Sequence, residues 1–168
     1  MLNLEPHEFF AGTLADAEAG TLQLPRTNRE TYAYVGKNGE KDFAVLLSGN
    51  YIYQSIDAGM GENWTGILVP KTKIIVDPES TIDPRSIDPR PGMIIRLLDK
   101  LSVWAYRNNR MSHDMMRVDL ATSLPPCSSD LQVGFLHWQI VLDNERERRV
   151  LLDVDLRDHI KGSDSNSE

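Results

Sequence analysis

The chain has 168 residues, 40% of them apolar and 26% charged, and its formal net charge at pH 7 is −7. This length predicts one domain with a full hydrophobic core, and the composition excludes a disordered or a fibrous chain. The acidic charge disfavours nucleic acid and membrane surfaces as partners, because both are themselves anionic.

Cysteine content and the N-terminal sequence bear on the compartment. The single cysteine, Cys127, excludes an internal disulfide and a zinc site built from several thiolates. The N-terminus lacks the basic and apolar regions of a secretory signal, and no apolar run approaches the roughly 20 residues that span a bilayer. We therefore expect a soluble cytoplasmic protein.

The beginning of the chain has the weakest pattern. Residues 5–19 are a helix candidate, although their apolar spacing is irregular and Gly12 interrupts it. A short helical turn near Pro6 is the most that we expect there.

Residues 32–47 have the pattern of a β-hairpin. Apolar and aromatic residues at 32–35 and 43–47 flank a polar segment that contains Asn38 and Gly39. Asn-Gly tolerates positive φ at both central positions of a tight hairpin turn, so we expect the chain to reverse there.

Short segments rich in β-branched or aromatic residues predict further strands, since each is bounded by Gly, Pro, Asn or Asp. They are residues 51–56, 67–69, 73–76, 101–106 and 115–121. Many short strands at this spacing favour a sandwich or a barrel.

An internal repeat lies within residues 77–91, where residues 81–85 are followed directly by the similar residues 86–90. Each copy contains Asp-Pro-Arg, and proline removes a backbone donor and disfavours helix in the residue before it. The segment is therefore predicted to be an extended crossing between two halves of the domain, and neither a helix nor a central strand.

Residues 93–101 fit two interpretations. The apolar residues between Ile94 and Leu101 follow helical spacing, and Pro91 suits the start of a helix. Two strands joined by a turn fit as well, and the strand-like flanking segments favour this second interpretation.

The clearest pattern lies near the C-terminus. Every second residue from Leu136 to Leu142 is apolar, and the alternation resumes from Val150 to Leu156 after a charged segment. A period of two places one set of side chains on one face of a strand. The two runs therefore predict an antiparallel hairpin with one buried face.

These elements together predict a mainly β fold, which is an antiparallel sandwich or open barrel with one or two short helices. Residues 1–161 are expected to form a single domain and residues 162–168 a disordered tail. Long strands leave edges that a second copy can cover in a symmetric pair, so we also expect a homodimer.

The glycine-rich stretch 57–64 supplies three candidate ligand-binding residues. Asp57 and Glu62 place two carboxylates near Trp64, which suits a polar ligand or a hard cation. The stretch matches neither the Walker A pattern nor the dinucleotide fingerprint. A plain connection between two strands, with Trp64 returning to the core, explains it equally.

A second group of candidates consists of Arg107, Arg110 and His113. Arginines bind a carboxylate or a phosphate through two parallel hydrogen bonds, which suits a small anionic ligand. The alternative is an exposed polar loop between two strands.

His137 is the last candidate, and it lies in the predicted C-terminal hairpin on the face opposite Trp138. Gln139 shares its face. The two side chains would be inward polar groups if that face lined a cavity, and solvent-facing groups on a half-buried sheet otherwise.

No metal site, cofactor or catalytic residue is predicted. The four histidines are scattered without metal-binding spacing, and Cys127 has no neighbouring base. Two functional hypotheses remain. The first is a non-catalytic binding or assembly module with a protein partner, and the second is a small-ligand-binding barrel or enzyme that takes an anionic or polar metabolite.

Overall fold

The computed structural model describes residues 4–24, 31–86, 88–107, 114–125, 132–144 and 147–159. Within these residues the chain forms fourteen strands and four short 3-10 turns. The strands are β1 (Phe10–Thr13), β2 (Leu22–Leu24), β3 (Ala33–Asn38), β4 (Lys41–Leu46), β5 (Ser55–Asp57), β6 (Thr65–Val69), β7 (Lys73–Val76), β8 (Thr81–Ile82), β9 (Ile94–Leu97), β10 (Lys100–Tyr106), β11 (Met115–Ser123), β12 (Val133–Phe135), β13 (His137–Asp143) and β14 (Arg148–Asp155). The 3-10 turns are Leu14–Asp16, Ala58–Met60, Pro78–Ser80 and Arg157–His159.

Within the described residues, eleven strands form one antiparallel sheet and three form a second. The first sheet has the order β1, β6, β2, β3, β11, β10, β9, β12, β8, with β4 beside β3 and β5 beside β4. In the second sheet β13 lies between β14 and β7. The prediction of a mainly β fold built from antiparallel sheets is confirmed, and the short helical elements are single 3-10 turns.

The two sheets share one hydrophobic core. Trp138 and Ile140 of the second sheet are buried there together with Leu22, Ile94 and Leu101 of the first. Burying a side chain of this size contributes roughly 1.5–3 kcal/mol, so the contact between the sheets is a main source of stability.

The first sheet is also buried on part of its other face. Tyr34 of β3 points into the shared core, whereas its neighbours Ala33 and Val35 belong to a smaller second cluster. Leu14 and Ala58, each from a 3-10 turn, cover that cluster. Burial on both faces explains why β3 is continuously apolar rather than alternating.

The C-terminal hairpin is confirmed, with one correction. β13 pairs antiparallel with β14, and Trp138 lies opposite Val154 in the core. A β-bulge next to Ile140 shifts the register, so Val150, predicted to face the core, is 44% exposed and Leu151 is buried instead. One extra residue in a strand reverses which side chains face the core beyond it.

The first hairpin is confirmed between β3 and β4, but the turn lies one residue later than predicted. Asn38 is still paired with Lys41, and its side-chain amide donates a hydrogen bond of 2.8 Å to the carbonyl of Arg117. The central turn residues are therefore Gly39 and Glu40, and Gly39 adopts the positive φ of +63°. Glycine adopts this conformation without steric cost.

Residues 94–106 form two strands and a turn, as the flanking segments favoured. β9 and β10 pair from Leu97 opposite Lys100 to Ile94 opposite Val103. Leu98 turns the chain with a φ of +56°, a region that few residues other than glycine enter.

Four of the five other predicted strands coincide with observed strands, namely residues 67–69, 73–76, 101–106 and 115–121. The prediction for residues 51–56 is wrong in its first half. Tyr53 has a φ of +63°, which turns the chain, so the strand begins only at Ser55.

The helix candidate at residues 5–19 is wrong. The chain there forms β1, paired with β6, and a single 3-10 turn. The carboxylate of Asp16 accepts hydrogen bonds of 2.8 Å from both the backbone N–H and the hydroxyl of Thr13, which closes that turn locally. Nearer the N-terminus, the N–H of Glu8 donates to the carbonyl of Glu5, so a turn does follow Pro6.

The proline-rich crossing contains the turn Pro78–Ser80 and the two-residue strand β8. β8 lies at the end of the first sheet and pairs with β12. This is an edge position, where prolines in the adjoining chain do not interrupt a central ladder of hydrogen bonds. The disordered tail predicted at 162–168 lies outside the described residues.

Candidate functional site

The glycine-rich stretch connects β5 to β6 and packs against the turn that follows β1. The carboxylate of Asp57 accepts a hydrogen bond of 3.0 Å from the N–H of Gly59 and so caps its own 3-10 turn. Gly61 is buried against Leu14, and a Cβ on Gly61 would lie 2.6 Å from the Cβ of Leu14. Glycine is therefore required here for close packing of the two turns, and not for cradling a ligand.

Trp64 does not return to the core, so that expectation is wrong. Its side chain is 39% exposed, whereas its backbone is anchored. The carbonyl of Trp64 accepts hydrogen bonds from the backbone N–H of Leu14 at 2.9 Å and from Nε2 of Gln23 at 2.8 Å. A fixed backbone with an exposed indole is typical of a contact residue rather than a core residue.

Two further large apolar side chains are exposed in the same part of the molecule. Phe10 is 45% exposed on the edge strand β1, and Met60 is 82% exposed at the end of the turn that precedes Trp64. β1 runs beside β6, with Thr13 opposite Thr65, the residue after Trp64. We call this region the acidic apolar surface, and it consists of Phe10, Asp16, Glu18, Asp57, Met60, Glu62 and Trp64.

The charges of the acidic apolar surface have one sign. Residues 4–24 and 48–69 contain six carboxylates and no lysine or arginine. Glu8 is compensated, because it forms an ion pair with Arg149 of β14. Among the described residues, no ion pair involves the four carboxylates of the surface. Hydrogen bonds from Thr13 hold the pKa of Asp16 below its usual range, so this carboxylate is ionised.

Arg107 lies away from these candidates at the end of β10, exposed to solvent. Its backbone N–H donates a hydrogen bond of 2.9 Å to the carbonyl of Asp114. Among the described residues, no recorded hydrogen bond or ion pair joins Arg107 to another candidate. Arg110 and His113 lie outside the described residues, as does Cys127.

His137 is the centre of a polar cluster on the second sheet. Its Nδ1 lies 2.9 Å from Oδ2 of Asp77, and its Nε2 lies 2.9 Å from Oδ1 of Asp153. The imidazole is 19% exposed. Asp77 follows β7 and Asp153 belongs to β14, so the ring connects all three strands of the sheet.

Other charged and polar groups extend this His137 cluster. Gln139 donates a hydrogen bond of 2.8 Å to the same oxygen of Asp153. Arg157 lies 3.5 Å from Asp77 and donates two hydrogen bonds from Nε and Nη2 to the carboxylate of Asp155. The side-chain hydrogen bond from Arg157 places the pKa of Asp155 far below its usual range.

The cluster stabilises a charged imidazole. Hydrogen bonds from the ring to Asp77 and Asp153 raise the pKa of His137, and the pKa of Asp77 is lowered mainly by its hydrogen bond to His137. Two carboxylates on the two ring nitrogens leave no free lone pair for accepting a proton from a substrate. This geometry suits a histidine that links neighbouring strands through hydrogen bonds, and it does not suit a general base.

Part of this cluster could be predicted from the sequence. In the register of the C-terminal hairpin, His137 lies opposite Asp155 and Gln139 lies opposite Asp153, so cross-strand pairing brings these groups together. Asp77 is 60 residues away from His137 in the chain, and only the pairing of β7 with β13 brings it near.

A pocket that sequence reasoning missed lies beside the C-terminal end of β10. Its volume is about 390 Å³, and we call it the tyrosine pocket. It is lined by Ile52, Tyr53, Arg90, Pro91, Tyr106 and Leu156. None of these residues was a candidate, because they come from four separate segments without a shared motif.

Tyr53 is held in its unusual backbone conformation from both sides. Its N–H donates to the carbonyl of Leu46 at 2.6 Å, and its carbonyl accepts from the N–H of Tyr106 at 2.8 Å. A bulky residue with positive φ costs on the order of 1–3 kcal/mol, and such strain persists where the surroundings hold the residue in place. Burial raises the pKa of the Tyr53 phenol.

Gly92 forms the floor beneath the Tyr53 ring. Its φ is +84°, and a Cβ at this position would lie 2.5 Å from Cζ of Tyr53. On its other side, the carbonyl of Gly92 accepts a hydrogen bond of 2.8 Å from Nε1 of Trp138. The loop that carries Arg90 and Pro91 is therefore fixed between a core tryptophan and the pocket tyrosine.

Comparison with known proteins identifies the family. A family model described as "Uncharacterised protein y4lG" matches residues 11–161. The chain belongs to the y4lG family. A curated relative, "Uncharacterized protein y4lG" of Sinorhizobium fredii (strain NBRC 101917 / NGR234), is 31% identical over 155 residues, which are 88% of this chain and 91% of the relative. No solved structure matches the chain significantly.

The y4lG match contains the His137 cluster, the tyrosine pocket and all of the acidic apolar surface except Phe10. Among the described residues, no group of three or more His, Cys, Asp or Glu side chains is arranged to hold a metal ion. In the same part of the chain, no helix has the length and apolar character needed to cross a membrane.

Proposed function

We propose that this protein is a non-catalytic binding module that docks a basic segment of a protein partner on its acidic apolar surface. The observation that carries the proposal is the exposure of Phe10, Met60 and Trp64 beside carboxylates that have no cationic partner among the described residues. The partner segment would present an apolar anchor flanked by lysine or arginine.

The apolar part of the surface has the composition of an interface. Tryptophan, phenylalanine and methionine are enriched in interfaces relative to the rest of a protein surface, and tryptophan is frequent among the residues that dominate binding energy. Trp64 meets a further requirement, since its backbone is fixed by Leu14 and Gln23. A fixed anchor loses little conformational entropy when a partner binds.

The charge of the surface selects the partner. Two of the four carboxylates, Asp57 and Glu62, flank Met60, so a cationic side chain beside an apolar anchor would meet opposite charge. Complementary charge speeds the encounter of the two proteins and disfavours acidic partners. It also makes the binding sensitive to salt, because ions screen the attraction.

The same charge argues against a second copy of this chain as the occupant of the surface, because like charges would then face each other. The homodimer stays a prediction, and a self-association would use another face, such as the outer edges of β8 or β14.

The cytoplasm is the proposed compartment, on the basis of the single cysteine. We treat residues 1–161 as one domain.

The non-catalytic character rests on the His137 cluster. Both ring nitrogens of His137 lie 2.9 Å from carboxylate oxygens. A residue that must exchange protons with a substrate needs one ring nitrogen available.

An amide and indole NMR titration of the full chain tests the proposal. The probe is a synthetic peptide in which lysine alternates with leucine, and the matched control peptide has glutamate in place of lysine. We expect the indole N–H signal of Trp64 and the amides of 60–64 to shift with the basic peptide and to remain unchanged with the acidic one. High salt should weaken the interaction.

Variants decide between surface contact and non-specific attraction. Glu62→Lys should weaken peptide binding about tenfold, since it replaces an attraction by a repulsion. Glu79→Lys makes the same charge change at an exposed position on the proline-rich crossing and should leave binding unchanged. Equal loss in both variants, or shifts that avoid Trp64, would contradict the proposal.

A further inference from the structure

We propose that the tyrosine pocket is a second binding site, independent of the acidic apolar surface, and that it takes a small aromatic carboxylate. A cavity of suitable size, the chemistry of its lining and its fixed walls support this site.

The size of the pocket suits a single ring with a short substituent. A volume of about 390 Å³ lies at the lower end of the range of ligand sites, which starts at roughly 300 Å³. The apolar part of the lining consists of two phenol rings, Tyr53 and Tyr106, together with Ile52, Pro91 and Leu156. Aromatic ligands stack favourably against such rings.

The polar groups of the lining select an anion. Arg90 is the charged residue among the described residues that line the pocket. A guanidinium matches the geometry of a carboxylate, and neutral phenols donate hydrogen bonds to it. The raised pKa keeps the Tyr53 phenol protonated and therefore able to donate.

The walls are fixed before any ligand arrives. Tyr53 is held by backbone hydrogen bonds to Leu46 and Tyr106, and its ring rests on Gly92, which Trp138 anchors from the core. A strained residue that is held in this way at the wall of a cavity is typical of a functional site. Preorganisation also reduces the entropy that binding must overcome.

The test is an amide NMR titration of the full chain with benzoate as the probe. Benzyl alcohol and benzylamine are the neutral and cationic comparators of nearly the same size. We expect benzoate to shift the amides of Tyr53, Tyr106 and Leu156 in a saturable manner, and benzylamine to leave them unchanged. Absence of shifts at these three amides with millimolar benzoate, or equal binding of benzylamine, would overturn the proposal.

Two variants and a control localise the effect. Arg90→Gln should weaken benzoate binding about tenfold, since it removes the charge-assisted contact. Tyr53→Phe keeps the ring over Gly92 and removes only the donor, so it should weaken binding by a smaller factor. Arg85→Gln lies on the same crossing outside the pocket and should bind benzoate as the unmodified chain does. Unchanged binding in both Arg90→Gln and Tyr53→Phe would refute the site.

The two proposals can fail separately. Benzoate should leave the Trp64 indole signal unchanged, and the lysine-leucine peptide should leave the amide of Tyr53 unchanged. Loss of peptide binding in Glu62→Lys with benzoate binding retained would show two independent sites, whereas mutual displacement of the two probes would contradict the assignment of a second site.

Discussion

Two charged regions of this molecule contrast in how their charges are used. In the His137 cluster, an imidazole, a guanidinium and three carboxylates are paired with one another across the strands of the second sheet. In the acidic apolar surface, four carboxylates lie in the same region as exposed Met60 and Trp64 and have no ion-pair partner among the described residues.

This difference distinguishes charged side chains that stabilise the fold from charged side chains that can bind another molecule. Paired charges satisfy each other and contribute to the folded state, so their removal is felt mainly as lost stability. Carboxylates without an internal partner contribute little to folding and remain available to another molecule. The presence of a titratable cluster is therefore weaker evidence for a site than the absence of internal partners beside exposed apolar side chains.

The largest effect is expected in the core that supports the His137 cluster. Trp138→Ala removes a side chain that is 1% exposed, together with its hydrogen bond to Gly92. We expect a loss of about 3–5 kcal/mol in the free energy of unfolding, measured by urea denaturation. A loss below about 1 kcal/mol would contradict the central position of Trp138 in the shared core.

An intermediate effect, dependent on pH, is expected for His137→Gln. The pKa of His137 is raised in the folded state. Its contribution to the free energy of unfolding is therefore fully present below pH 6.5 and is lost as the pH rises through the higher pKa of the folded state. The lowered pKa of Asp77 acts in the opposite direction, with stability present above pH 3.8 and lost as pH falls through the lower folded value. Both contributions are therefore complete between these two pH values.

Urea denaturation at about pH 5 and at about pH 9 checks this prediction. At the lower pH, the free energy of unfolding of His137→Gln should be roughly 1–3 kcal/mol below that of the unmodified chain. At the higher pH this difference should be smaller. A difference that is the same at both values would show that the charged imidazole does not contribute.

The smallest effect on stability is expected at the acidic apolar surface. Trp64→Ala should lower the free energy of unfolding by much less than Trp138→Ala, because Trp64 is 39% exposed and because its backbone carbonyl, which the variant keeps, accepts the hydrogen bonds from Leu14 and Gln23. The same variant should abolish binding of the lysine-leucine peptide. A loss of stability comparable to that of Trp138→Ala would assign Trp64 to the core and remove the contrast between the two regions.

The candidate residues illustrate what local pattern can and cannot predict. His137 and Gln139 were correctly placed on one face of a strand by their alternation with Leu136 and Trp138. Their partner Asp77 was beyond reach, because it depends on which strand pairs with β13 on its other side. The sequence identified Trp64 as a candidate residue. It did not predict that Trp64 is exposed, because that exposure depends on how the 3-10 turns pack.

The tyrosine pocket shows the same limit in stronger form. Tyr53 was assigned to a strand on its aromatic and β-branched neighbours, whereas its backbone has positive φ. That conformation is imposed by hydrogen bonds to Leu46 and Tyr106, the second of which is 53 residues farther along the chain. Local propensity is a weak determinant when distant backbone groups hold a residue in place.

The sequence by itself determined the class of fold, the C-terminal hairpin and the acidic, cation-free character of residues 4–24 and 48–69. These follow from periodicity and charge, which act between neighbours in the chain. The tertiary structure alone decided the bulge that exposes Val150, the closure of the His137 cluster by Asp77 and the convergence of four segments on one pocket. Each of these requires contacts between residues far apart in sequence, and such contacts form only when the sheets pack together.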